Sequence, residues 1–277
     1  MNPRLRARVH RTRRFVQTPR TFTNWAPILR DMALGRIGRG PAELEFRTRS
    51  GIRIDTPNRP GARVPVYEIF AEDCYRLAWF LGPLLQRPIR VVDVGGHVGT
   101  FSVRLTQLHQ RATVQAFEPS ATTATFLRRN VAQNGVAERV TVREAALAAT
   151  SGYAVFDDNG AGSGLNGLAA AGHSTGTATK VETVAFDEVV ADAPVDVVKI
   201  DCEGGEFDLV LGSSPQSWAS VQRVVIEWHP VTGHAWPELR DYFAKVGLQV
   251  QDEDAFGQHG CVWLSRDPLP AFRAEPR

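Results

Sequence analysis

From residue 89 onward, short and nearly unbroken apolar runs alternate with stretches whose apolar residues fall at helical spacing. The runs predict strands at Ile89–Val94, Thr113–Glu118, Val140–Ala146, Lys180–Val184, Val195–Asp201, Arg223–Trp228, Leu248–Gln251 and Gly260–Leu264. The stretches between them predict helices at Thr100–His109, Ala121–Asn134, Phe186–Val190, Glu206–Leu211 and Pro237–Val246, with glycine stops at Gly135, Gly212 and Gly247. Val91, Val92 and Val94 surround Asp93, which suits a parallel strand covered on both faces. Strands alternating with helices imply an α/β class with a mostly parallel, doubly wound sheet.

Ahead of this block, residues 42–55 alternate as strands do around a turn at Ser50-Gly51, and residues 57–65 read as a loop. Tyr67 to Leu85 carries helical spacing, interrupted or ended by Gly82-Pro83. Residues 1–25 hold too few apolar positions to anchor a helix. The expected division is a basic, partly disordered arm at 1–41, a small N-terminal hairpin and helix cap at 42–85, the main domain at 86–267 and a tail at 268–277. Six glycines between 157 and 178 break the pattern, and a loop of that length inside a compact domain suggests a mobile cover over a site.

Composition narrows the class. The chain has 277 residues, 43% of them hydrophobic, enough for one sizeable core plus an extension. Its net charge of +2 makes no general demand on nucleic acid or membrane. The charge is uneven, since residues 1–40 hold ten arginines against the single acid Asp31. A solvated tail is the plainer reading of that arm; a polyanion patch is its rival. Cys74, Cys202 and Cys261 are widely spaced, without a C-x-x-C pair, and indicate neither a disulfide framework nor a zinc site. No apolar run reaches membrane-spanning length and no signal sequence is evident, so a cytoplasmic protein is expected.

The candidate chemistry lies at strand ends, where open α/β sheets bind ligands. Asp93-Val94-Gly95-Gly96-His97-Val98-Gly99 reads as strand, glycine turn and helix start. Glu118 follows Gly99 by 19 positions, near the ~20-residue interval at which such folds offer a carboxylate to a ribose. Asp93 ahead of the turn favours a cationic donor over a pyrophosphate. Two further ends carry Asp201-Cys202-Glu203 and Glu227-Trp228-His229. His229, whose ordinary pKa near ~6.5 suits proton removal at neutral pH, is the candidate base and Asp201 its rival. Glu203 and Glu206 precede a helix, where carboxylates suit the N-terminal dipole. No metal is expected, although Asp201, Glu227 and His229 could together ligate a divalent ion.

Val91-Val92-Asp93-Val94-Gly95-Gly96-His97-Val98-Gly99, Ala116-Phe117-Glu118-Pro119 and above all Lys199-Ile200-Asp201-Cys202-Glu203-Gly204-Gly205-Glu206 resemble the FkbM-type methyltransferases. Tyr67-Glu68-Ile69-Phe70 with Tyr75 is similar to the segment those proteins place before the core. The likeness spans roughly residues 44–250 and departs at Gly96-His97, where the family more often has Ala-Asn. It implies a Rossmann-like methyltransferase fold, S-adenosylmethionine as donor, and O-methylation of a small molecule or sugar. The cofactor-contacting set is then Glu68, Asp93, Gly95, Gly96, His97, Gly99, Glu118, Pro119, Ala145 and Asp201. The expected partner is a small-molecule acceptor, with no membrane and the oligomeric state open, a homodimer being one option. A nucleic-acid methylase or binding module using the arginine arm is the alternative, and a nicotinamide oxidoreductase a more distant one.

Overall fold

The computed structural model describes residues 13–35, 37–163, 166–168, 176–256 and 259–273. The chain begins with α1 (residues 13–21), α2 (Trp25–Gly35) and the hairpin β1 (Glu43–Arg47) and β2 (Arg53–Pro57), then a short helix α3 (Val64–Tyr67) and α4 (Leu77–Leu81). The first run of the main domain is β3 (Ile89–Val94), α5 (Thr100–Leu108), β4 (Ala112–Phe117), α6 (Ala121–Gln133) and β5 (Val140–Arg143). Four short strands follow: β6 (Ala146–Ala148), β7 (Gly152–Asp158), β8 (Gly167–Leu168) and β9 (Thr177–Ala185). The second run is α7 (Phe186–Asp192), β10 (Val197–Ile200), α8 (Glu206–Gly212), β11 (Arg223–Trp228), α9 (Trp236–Lys245), β12 (Gln249–Phe256) and β13 (His259–Ser265).

The central sheet has the order β12-β13-β11-β10-β3-β4-β5. Its five strands from β11 to β5 pair in parallel, and β13 runs antiparallel to both β11 and β12. The chain winds outward from β3 through β4 to β5, then returns to β3's other side with β10. The direction of winding therefore reverses between β3 and β10, and this is the switch point of the expected doubly wound, Rossmann-like α/β fold. Period-2 alternation splits the strands' side chains between two cores. Val91 and Val197 join the cluster under α5, α6 and the cap, whereas Val92, Val94, Val198 and Ile200 join the cluster under α7, α8 and α9.

Three local features differ from the sequence reading. The arm is anchored: Phe22 is fully buried and meets Phe46 and Tyr67 edge-on at 5.1 and 5.6 Å. Each such aromatic pair adds about 0.5–1.5 kcal/mol beyond burial. Arg14 lies over the Tyr67 ring, and Arg13 reaches Glu72 at 3.8 Å. Residues 1–12 lie outside the described residues. The helix expected over Tyr67–Leu85 is broken by a π-turn at Glu68–Glu72 and by left-handed Asp73 and Arg76 (φ 51° and 50°). Finally, β7 falls outside the expected strands. It pairs antiparallel with β9 in a separate sheet of order β6-β9-β7-β8, which frames the glycine-rich segment. Among the described residues no helix is long and apolar enough to cross a membrane.

Candidate active site

The carboxyl ends of β3, β4, β10 and β11 converge on a cavity of about 500 Å³ at the switch point. Gly95 and His97 form one edge, Phe117, Glu118 and Pro119 the next, and Asp201, Cys202, Glu203 and Glu227 the far wall. The cap contributes Glu68, and the glycine-rich segment contributes Asn159, Gly162 and Asn166. Part of the expected cover thus borders the site; its residues 164–165 and 169–175 lie outside the described residues.

Two backbone hydrogen bonds hold the glycine turn against β4, from Gly95 and Gly96 N–H to the Phe117 carbonyl (3.1 and 2.8 Å). Gly95 has φ +75°, and a Cβ there would lie 1.8 Å from the Asp201 carbonyl oxygen. Any side chain would push β3 and β10 apart. Gly95→Ala is expected to destabilise the fold by more than ~4 kcal/mol, the range reserved for core disruption; a urea midpoint close to that of the parent would refute this close packing.

Register explains Asp93. It stands beside Lys199 in the β3–β10 ladder, and the ammonium lies 3.2 Å from its carboxylate. Lys199 Nζ also donates to the Val94 and Gly95 carbonyls (3.1 and 2.7 Å), while Ser102 Oγ donates to Asp93 at 2.6 Å. Burial works against the ammonium, but Asp93 and Asp201 hold its pKa well above the ordinary lysine value. The negative charge that the sequence places at the turn is therefore spent on Lys199, and Asp93 is absent from the described cavity wall.

Glu118 is fixed by two backbone donors. His97 N–H donates to its Oε2 (2.9 Å) and Ser120 N–H to its Oε1 (3.0 Å). Burial nevertheless pushes its carboxyl up to about 7, the two N–H groups opposing the shift. His97 occupies a left-handed backbone position (φ 49°), and neither of its buried ring nitrogens makes a well-formed hydrogen bond among the described residues. Burial lowers its pKa to about 4, with only a partial counter-effect from the Gly162 backbone, so the ring is neutral at pH 7.

The far wall is a carboxylate cluster around His229. The ring Nδ1 meets Glu206 Oε1 at 3.0 Å, and Nε2 faces Glu203 Oε2 at 3.6 Å and Glu227 Oε1 at 3.9 Å. Glu206 is fully buried and accepts N–H bonds from Cys202 and Gly204 (3.1 and 2.9 Å). Tyr75 OH donates to Asp201 Oδ2 at 3.0 Å. Burial, with Asp201 nearby, pushes Glu227 up to about 8; burial likewise takes Glu203 to about 8 and Glu68 to about 7. Burial disfavours a charged His229, but Glu206, Glu203 and Asp201 prevail and raise it to about 10. The ring is thus protonated at neutral pH and cannot accept a proton there. Cys202 is no nucleophile either, since burial lifts its thiol well above the ordinary value.

A family model described as the methyltransferase FkbM domain matches residues 93–250, more than half of the chain. The chain belongs to the FkbM methyltransferase family. This FkbM-family chain is 27% identical over 195 residues to Methyltransferase sdnD of Sordaria araneosa, covering 59% of the chain and 73% of that protein. It is 25% identical over 180 residues to Methyltransferase 1 of Beauveria bassiana, covering 58% and 70% respectively. A crystal structure of Methyltransferase FkbM from Methylobacillus flagellatus KT aligns with 64% of the chain at 14% identity and a TM-score of 0.46; the FkbM-family chain spans 43% of that one.

The FkbM domain match takes in the glycine turn, Glu118 and the Lys199–Glu206 segment, while Glu68 and Tyr75 precede it. Of the expected cofactor set, Glu68, Gly95, His97, Glu118, Pro119 and Asp201 line the cavity. Gly96 and Gly99 instead pack on Leu127, where a Cβ would meet that side chain at 2.6 and 3.3 Å. Ala145 is buried one residue before the lining residue Ala146. Of the catalytic candidates, Asp201 lines the cavity and His229 sits behind Glu203 and Glu227. Sequence reasoning assigned no task to Lys199 or Tyr75, and read Glu206 only as a helix-dipole residue. The first is visible only through strand register and the last two only through tertiary contact.

Proposed function

We propose that this chain transfers a methyl group from S-adenosylmethionine to a hydroxyl of a small metabolite, sugar or natural product. The observation that carries this reading is Glu118, a strand-end carboxylate fixed by two N–H donors at the edge of the switch-point cavity. Such a group accepts the two hydroxyls of a ribose. The residues present fit the donor. His97 offers two buried nitrogens in need of a polar partner, as expected where a ligand group completes them. Phe117, Leu147 and Phe156 supply the apolar wall that a nucleoside base prefers and that excludes water. The wall of Asp201, Glu203 and Glu227 would meet a donor bearing an ammonium and a sulfonium with carboxyl oxygens, and with opposite charge wherever these groups are ionised.

Bound S-adenosylmethionine supplies a methyl carbon already activated by its sulfonium. The protein's work is alignment and proton removal, of which alignment alone is worth several kcal/mol. With His229 protonated, the acceptor's proton passes to the carboxylate wall. Glu203 and Glu227, pushed up to about 8, are mostly protonated at pH 7, and their ionised fraction, which grows as the pH rises through 8, is a stronger base than ordinary carboxylates, so transfer should quicken over that range. The cavity of about 500 Å³ suits a small acceptor beside the donor.

Calorimetry with S-adenosylhomocysteine should show one site per chain, and labelled S-adenosylmethionine should transfer its methyl group within a panel of hydroxylated small molecules. Binding of NAD in place of S-adenosylhomocysteine would overturn the reading. Loss of transfer on deleting residues 1–12, with folding intact, would redirect it to a polyanionic acceptor.

A further inference from the structure

We propose that Asp201, Glu203 and His229 hold a divalent first-row metal ion at the far wall of the cavity, where it binds and orients the acceptor's hydroxyl oxygen. The inference rests on the methyl-transfer reading for its use, though not for the site itself. One donor atom from each of the three residues lies within 4.8 Å of the others. Metal–ligand bonds of about 2.0–2.2 Å put neighbouring donor atoms about 3 Å apart and opposed ones about 4 Å apart, so small side-chain rotations close this set. The three come from the loop after β10 and from the residue just past β11, so the sheet fixes their spacing.

Histidine orientation is the first specific argument. Glu206 takes N–H bonds from Cys202 and Gly204 and acts as an acceptor, so the His229 nitrogen facing it, Nδ1, carries the hydrogen. A bound metal ion displaces the Nε2 proton to solvent, and Nε2 then presents its lone pair towards Glu203 and Asp201. A carboxylate that orients a histidine from behind in this way is the usual companion of a histidine ligand. Sequence reasoning put Glu227 in the set; the structure brings Glu203 closer to Nε2, at 3.6 against 3.9 Å.

A second, independent observation lies across the cavity. Glu68, on the π-turn of the cap, lines the same cavity as Asp201 and Glu203, and burial next to Asp201 pushes its carboxyl up to about 7. Among the described residues no lysine or arginine forms an ion pair with Glu68, Glu203 or Glu227, and Lys199 is engaged by Asp93 and the turn carbonyls. The carboxyl groups of Glu68, Asp201, Glu203 and Glu227 thus border one space in which His229 is the cation nearest Glu203 and Glu227, and a divalent ion there would replace the charge that His229 gives up on becoming a ligand. Two carboxylates and one imidazole suit Mn²⁺-like ions. Glu227, outside the ligand set, remains to take the acceptor's proton.

The test uses Mn²⁺ alone, added to the full chain without donor or acceptor. Electron paramagnetic resonance should show the free-ion signal lost until one Mn²⁺ is bound per chain, with affinity reduced at least tenfold in Glu203→Gln and in His229→Gln. Both variants should keep the parent's circular dichroism and cooperative urea unfolding, which reports an intact fold, while S-adenosylhomocysteine binding to the parent without Mn²⁺ keeps the metal question apart from the methyl-donor question. A free-ion signal unchanged at millimolar Mn²⁺, or parent-like Mn²⁺ affinity in the two variants, would overturn the site while leaving the methyl-transfer reading standing.

Discussion

Glu118→Ala is expected to weaken S-adenosylhomocysteine binding by about a hundredfold or more. The carboxylate would give a ribose two charge-assisted hydrogen bonds, each contributing about 1.5–3 kcal/mol, and a hundredfold change in affinity is about 2.7 kcal/mol. The same substitution frees the His97 and Ser120 N–H groups that hold the turn against β4. Glu118→Gln keeps one acceptor oxygen and should lose roughly tenfold. The pH dependence has a definite sign. Burial pushes the Glu118 carboxyl up to about 7, and the ionised form is the acceptor, so affinity should fall as the pH drops through 7. His97, held near 4 by burial, keeps its charge state over that range. In Glu118→Gln the component due to this residue disappears. Calorimetry at pH 6 and pH 8 reads both effects; a dissociation constant for Glu118→Ala within threefold of the parent's would remove Glu118 from the cofactor site.

Lys199→Met is expected to cost about 3–5 kcal/mol of stability, the usual penalty for removing one partner of a buried ion pair. Methionine fills much of the same volume but leaves the fully buried Asp93 carboxylate with Ser102 as its remaining hydrogen-bond donor. It also strips the Val94 and Gly95 carbonyls of the ammonium they share. Adding Asp93→Asn removes the stranded charge. The double variant should recover part of the loss, with a coupling of about 1–3 kcal/mol between the two sites. Urea denaturation of the parent, both single variants and the double variant measures it. If Lys199→Met costs under ~1 kcal/mol, the pair is not what holds the seam.

The strands β3, β4, β10 and β11 were legible because both of their faces are apolar, and the four strand ends named from sequence do converge. Asp93 shows where such reading stops. Its charge argued for a cationic ligand, yet the residue beside it in the ladder comes from more than a hundred positions away and cancels that charge. A wall of carboxyl groups exists, but it is built by Glu68, Glu203 and Glu227. Two of these were read only as a helix-dipole residue and a spare ligand. The His229 base assignment rested on its unperturbed pKa, which Glu206 alters through a contact that no spacing rule predicts. β7 escaped notice because its exposed Tyr153 and Val155 give little alternation towards a core. The break after Tyr67 escaped because left-handed Arg76 carries no turn signature and Asp73 is a single turn-prone residue inside a helically spaced apolar run.

The seam between β3 and β10 also sets when the site can exist. Lys199 reaches back 105 residues to the Val94 carbonyl, and the intervening chain builds α5, α6 and the β7–β9 sheet. Closing so long a loop is entropically costly and is repaid only once both strands are in place. During synthesis from the N-terminus, the glycine turn and Glu118 emerge well before the segment that completes the pocket. A nascent chain ending at α7 therefore carries the glycine turn and Glu118 without the lysine that locks the turn, and the far wall of the cavity arrives only with β10 and then β11.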